Sequence, residues 1–526
     1  MTRCGFGKGD PGKTRILTAN EKKWKSKLEG DPEYEIIPMS ELYPTLPPAD
    51  AYDQYEKRCG HADAAVWCKL MMTHEMTEML RDVVVVLHGT LHCNSCVRNF
   101  HSDRFGDYGH GFAHFPTTSI DRRQVVFGGE KELAAAIRAV YRDYKPNLII
   151  VLPGCAMSLV QDDMQRVCAQ AQAELGIRVY YFPCAGYEDR PTGLIIEKVT
   201  QMWVDLMDDP KEVDPEAVNI LGANREVYWP HVRGAEGKPR PNPYPSDAEE
   251  LGRMIESLGL RVHRVLMASG GDYNYIRTAP EAAINTVLCG TWAFPIAQLM
   301  EKRWGTKLIY NELPLGLEAN DKFMRLLGAA TGREKLAEEV IAREHEAIMP
   351  VWNKTKEMCA GKVCIMGGMG NRTGSYLRLC KDLGMDVIYI PAYPEMGFCH
   401  DEAIKAKRVD WDYFLADGFD PVVLRLKDGV PRDFHKFYLP VLMNKLGLRN
   451  EDLVYMYNDF SPYAGQIEPS NIAYVNTSTH LRRRPFYPSR AVGYRGTEGF
   501  CLDIIDAIKA AQRKKWPTLY TRIYSK

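Results

Sequence analysis

The stretch VVVVLHGTLHC, Val83 to Cys93, runs five apolar residues straight into a histidine, a glycine turn and a cysteine. A strand that is apolar at every position is buried on both faces, which is the condition of parallel sheets in α/β proteins. The ends of such strands are also where open α/β sheets present groups to a ligand. Two later runs repeat the plan: NLIIVLPGC, Asn147 to Cys155, and RVYYFPC, Arg178 to Cys184. Between them, KELAAAIRAVYRDY (Lys131 to Tyr144) and the segment from about Leu159 to Leu175 carry amphipathic helical spacing. Strand and helix in alternation predict a buried parallel sheet flanked by helices.

A second series begins near Ala217 with VNILG and is interrupted by a loop rich in proline and glycine. It resumes with a helix for which Ser246 is a candidate N-cap and Glu249 completes a capping box. A third starts at Gly361, where KVCIM, GGMGNRTGSYLRLCKDLG and DVIYI outline a βαβ unit. The fold class expected is therefore α/β, with three Rossmann-like domains at residues 59–210, 211–355 and 356–526. Residues 1–58 are polar and proline-rich, and read as an N-terminal extension wrapping a partner or the body of the protein. The glycines at 367–374 suit a tight turn after a strand; the GxGxxG spacing of a dinucleotide loop and the lysine of an ATPase loop are missing.

The chain of 526 residues is long enough for about three domains, and its net charge of −1 gives no basic field to attract nucleic acid. No apolar run reaches the roughly 18 residues of a membrane helix, and MTRCGFGKGDPGKTR lacks the apolar core of a signal peptide. A cytoplasmic location is expected. In a reducing compartment the 14 cysteines do not form a disulfide framework. Cys168, Cys364, Cys380 and Cys501 fit buried apolar positions, leaving a minority for metal.

Cys59, Cys93, Cys155 and Cys184 stand apart, because three of them directly follow a β-rich run and all lie in the first block. Thiolates gathered there by converging strand ends can hold an iron-sulfur cluster. The CNSC pair, Cys93 and Cys96, fits a zinc site or a redox dithiol as well. His88, His92, His101, His110 and His114 crowd the same region and could tune a cluster or carry protons.

From about Cys59 onward the chain resembles component 1 of nitrogenase and its relatives. HGTLHC (His88 to Cys93) is similar to the family's HGxxGC loop, TTSIDRRQVVFGG (Thr117 to Gly129) to its VFGG segment, and GCAMSLVQDDM (Gly154 to Met164) to its cysteine loop with a following GDD. SGGDYNYIRTAPEAAINTVL, LPLGLEANDKFMRLLGAATG and VGYRGTEG resemble the β-type subunit.

This resemblance implies that Cys59, Cys93 and Cys155 are thiolate ligands of a P-type 8Fe-7S iron-sulfur cluster shared with a partner chain. Cys184 falls near a family serine able to ligate the oxidised cluster. The Cys59 to Cys93 spacing departs from the family pattern, so Cys68 is an outside candidate for the first ligand and Cys96 for the second. Cys289 lies near the place where α-type chains hold the catalytic cofactor. The implied assembly is an α2β2 heterotetramer with an α-like subunit that carries an iron-sulfur catalytic cofactor, fed by an ATP-dependent iron protein, with neither nucleic acid nor membrane. The departures favour a nitrogenase-like reductase, methylthio-alkane reductase first. A nitrogenase β subunit, a cofactor-assembly scaffold, an α-like catalytic chain using Cys289, and a Rossmann-type transferase with merely buried cysteines are the competing readings.

Overall fold

Thirteen strands among the described residues sort into three sheets, whose apolar cores run on from one block to the next. The computed structural model describes residues 16–45, 70, 73–74, 77, 80, 82–97, 115–185, 192–223, 246–267, 271–288, 290–310, 312–368, 372–391, 405–427, 439–457, 472–477 and 491–512. The first strand, β1 (Tyr34–Pro38), belongs to the last of the three sheets.

The first sheet has the order β2 (Val83–His88), β3 (Leu148–Pro153), β4 (Arg178–Tyr181), all parallel. All six residues of β2 and all six of β3 are buried, which is why neither run contains an alternation of polar positions. Val84, Val86, Ile149 and Val151 pack on Leu133, Ile137 and Val140 of the helix Glu130–Tyr144 and on Val167 and Cys168 of the helix Met164–Leu175. On the opposite face Val85, Leu87, Ile150 and Leu152 join Phe182, Met202, Trp203 and residues of the second block.

The second sheet runs β6 (Arg261–Val265), β5 (Asp214–Leu221), β7 (Ala282–Val287), β8 (Lys307–Leu308), again parallel. Ser246 caps the helix Asp247–Ser257 by accepting from Glu249 N–H at 3.1 Å. The third sheet runs β1, β11 (Val422–Leu426), β10 (Asp386–Pro391), β9 (Val363–Gly368), β12 (Leu453–Tyr457), β13 (Ala473–Asn476). Only β1 is antiparallel there, closing the edge of β11. An N-terminal stretch thus completes the last block, held by Glu35 on Arg425 (2.6 Å) and Asp31 on Lys445 (2.5 Å).

Charged side chains are buried where the second and third blocks meet. Arg372 pairs with Asp247, whose other oxygen accepts from the amides of Ala491 and Val492 at 3.1 and 3.2 Å. Glu312 is buried 3.2 Å from Arg378, beside Glu318, Lys322 and Asp417. Burial prevails over the Arg378 cation and pushes the Glu312 carboxyl up to about 7.

Candidate functional site

β2 and β3 stay in register until His88 lies opposite Pro153, and the next residue on each chain is a glycine. The two glycines touch: a Cβ built on Gly89 would lie 3.2 Å from Gly154 Cα, and one on Gly154 would lie 3.1 Å from Gly89 Cα. Gly154 N–H also donates to His88 O at 2.8 Å. Backbones this close leave a side chain at either position room only if the facing strand gives by a few tenths of an ångström. The cysteine-bearing segments therefore leave the sheet side by side, Cys93 in the helical turns 91–97 and Cys155 opening the helix Cys155–Val160.

Cys93 and Cys155 are half-buried. Burial pushes the Cys93 thiol up, the Thr90 hydroxyl at 3.7 Å pulls the other way, and the neighbouring Cys155 and Cys96 sulfurs push it further. Cys184, after β4, is fully buried in the apolar cluster of Phe182, Met202 and Trp203, against which Cys93 packs. Cys96 is exposed, its Sγ 3.7 Å from His92 Nε2. The ends of three adjacent strands thus carry Cys93, Cys155 and Cys184. Cys59, Cys68, Cys289, His101, His110 and His114 lie outside the described residues.

A buried network ties these strand ends together, and sequence reading did not assemble it. His88 is fully buried, with Nε2 2.9 Å from Asp162 Oδ2 and Nδ1 3.1 Å from Thr118 Oγ1. Burial pulls the His88 pKa down against the Asp162 carboxylate, which favours the neutral ring: Nε2–H donates to Asp162 and Nδ1 accepts from Thr118. Asp162 Oδ2 also accepts from Gly129 N–H at 2.7 Å, anchoring the start of the helix Glu130–Tyr144. A Cβ on Gly129 would come within 2.9 Å of His88 Cε1, and one on Gly128 within 2.8 Å of Asp162 Oδ1. The two glycines of VFGG make room for the carboxylate of QDD. The signal was present as a histidine at a strand end, a glycine pair and an acidic pair, but nothing local links them.

The segment before that glycine pair is apolar and exposed. Phe127 is 82% exposed and Val126 70%, at the end of the helix Arg122–Phe127, which lies against the helix Cys155–Val160. Leu159 and Leu91, on the two cysteine-bearing segments, are exposed as well.

As for the expected iron-sulfur cluster, the donor chemistry fits: soft thiols, neighbouring and partly shielded from water, at the edge of a parallel sheet. Cys93 and Cys155 would hold it from the described residues.

Among the described residues no helix is long and apolar enough to cross a membrane. Residues 68–408 match the family described as nitrogenase component 1 type oxidoreductase. The chain is 28% identical over 316 residues to the nitrogenase molybdenum-iron protein alpha chain of Clostridium pasteurianum, covering 58% of this chain and 55% of that one. It is 25% identical over 320 residues to the nitrogenase iron-molybdenum cofactor biosynthesis protein NifE of Methanococcus maripaludis, covering 59% and 61%. It therefore spans less than two thirds of the length of these curated relatives. A solved structure titled nitrogenase Cp1 at pH 5 superposes with a TM-score of 0.62 at 21% identity, covering 86% of this chain and 90% of that one, which establishes the same α/β fold. Since the family match covers well over half of its residues, the chain belongs to the nitrogenase component 1 type oxidoreductases.

Proposed function

We propose that this chain is the β-like subunit of a nitrogenase-like reductase. Cys59, Cys93 and Cys155, with Cys184 beside them, would supply one half of a P-type cluster, and the α-like partner the other half. Held by those cysteines, the cluster would supply electron relay from an ATP-driven iron protein toward an iron-sulfur cofactor in the partner, within an α2β2 assembly in the cytoplasm. The favoured reaction is reductive cleavage of a small methylthio-alkane: R–S–CH3 takes up an electron pair and two protons and leaves as R–H and CH3SH. The observation that supports the reading is the close contact of Gly89 and Gly154 at the sheet edge, after which the half-buried Cys93 and Cys155 follow on neighbouring segments. The exposed apolar surface of Leu91, Val126, Phe127 and Leu159 around them supports a covering partner chain.

A second reading is favoured by the likeness to the cofactor biosynthesis protein NifE: a scaffold that holds a cofactor precursor for delivery. The test is turnover. The chain is co-purified anaerobically with its partner and supplied with a cognate iron protein, ATP and a methylthio-alkane. Release of methanethiol supports the reductase. A cluster-loaded complex that turns over no substrate but passes a cofactor to an apo-reductase supports the scaffold.

A further inference from the structure

The two cysteines of the 93–96 pair have different surroundings. Cys93 is half-buried against the core beside Cys155, whereas Cys96 is exposed and meets His92, also exposed, one helical turn earlier. His92 and Cys96 are four residues apart on helical turns, the spacing at which two side chains on one helix face can share a metal ion. Their donor atoms are 3.7 Å apart. A tetrahedral zinc ion with a sulfur at about 2.3 Å and a nitrogen at about 2.0 Å requires a separation of about 3.5 Å. The turns that carry the pair are fixed in place: Asn94 is buried and donates from Nδ2 to Phe115 O at 2.6 Å, and Val97 is buried beneath them. The donors are thus held near the chelating distance without ordering a loop.

We propose that His92 Nε2 and Cys96 Sγ chelate a thiophilic divalent ion, zinc being the probe of choice, at a surface site separate from Cys93 and Cys155. Binding displaces the thiol proton of Cys96 to solvent, so the bound species is Cys–S−, neutral imidazole and Zn2+. Among the described residues no set of three or more His, Cys, Asp or Glu side chains is arranged to hold a metal, so the pair supplies two donors from the described residues. Neither donor is one of the four cysteines first assigned to the cluster, and because Cys96 is also the outside candidate for its second ligand, iron is measured beside zinc to separate the two roles.

The full-length protein, purified anaerobically, is dialysed to equilibrium against micromolar zinc chloride, and zinc and iron are measured together. The wild type is expected to hold one zinc more per chain than Cys96→Ser or His92→Ala, with iron unchanged. Each variant should bind zinc about tenfold or more weakly, since losing a ligand costs at least as much as losing an outer partner. X-ray absorption at the zinc edge should give a single sulfur neighbour. Both changes are at exposed side chains, so folding is not at stake. Equal zinc in wild type and Cys96→Ser overturns the proposal, as does a zinc spectrum without sulfur. Loss of iron from Cys96→Ser overturns it too, by assigning Cys96 to the cluster.

Discussion

At the scale of single residues, the site rests on positions where nothing larger fits unless the facing strand gives, or where a buried donor has one acceptor. Gly154→Ala would drive a methyl group against Gly89 Cα, backbone that cannot swing aside, so β2 and β3 must separate locally. A loss of about 1–3 kcal/mol in urea denaturation is expected, the range for overpacking. Asp162→Ala would strand Gly129 N–H and His88 Nε2–H together, at an expected cost of about 2–5 kcal/mol. Asp162→Asn keeps one acceptor and should lose less; equal losses would show that the carboxylate is not the common acceptor.

Glu312 gives a pH dependence whose sign is fixed. Its folded pKa of about 7 lies above the ordinary 4.5, so the folded state holds the proton longer than the unfolded one. Stability is then full below about 4.5 and is lost as pH rises through about 7, to an extent of about 3 kcal/mol. Glu312→Gln should be nearly neutral at pH 5 and stabilising at pH 8, read as urea midpoints. A midpoint difference independent of pH would contradict it.

At the scale of elements, what could be read from the sequence was what is local. The strands of the first block announce themselves because burial on both faces leaves an unbroken apolar run, and Cys168, Cys364, Cys380 and Cys501 are buried as their apolar surroundings suggest. The helix expected from about Leu159 instead breaks at Gln161, whose backbone is left-handed, and restarts at Met164 with Asp163 as cap. The break lets Asp162 reach His88 and Gly129, partners 74 and 33 residues away, a demand invisible to periodicity. β1 was equally hidden: YEIIP is short, ends in proline, and becomes a strand only because β11, far along the chain, offers it an edge. The helix Arg122–Phe127 buries none of its residues, so its apolar end is stabilised only when covered. Val126→Ser with Phe127→Ser should leave the fold intact and weaken assembly with the partner about tenfold or more, seen by light scattering after size exclusion. Unchanged assembly would remove that surface from the interface.

For the molecule as a whole, the glycine contact, the Asp162 network and the exposed apolar rim converge on one edge of the first sheet, where Cys93 and Cys155 lie together. The proposal is that these thiols bind iron jointly with a partner chain. Iron and acid-labile sulfide in the anaerobically co-purified pair test it most directly, with Cys155→Ala and the buried-core variant Cys380→Ala measured alongside. Joint ligation requires stoichiometric iron in the wild-type pair, its loss in Cys155→Ala, and its retention in Cys380→Ala. A wild-type pair without iron, or a Cys155→Ala pair with its full complement, would contradict it.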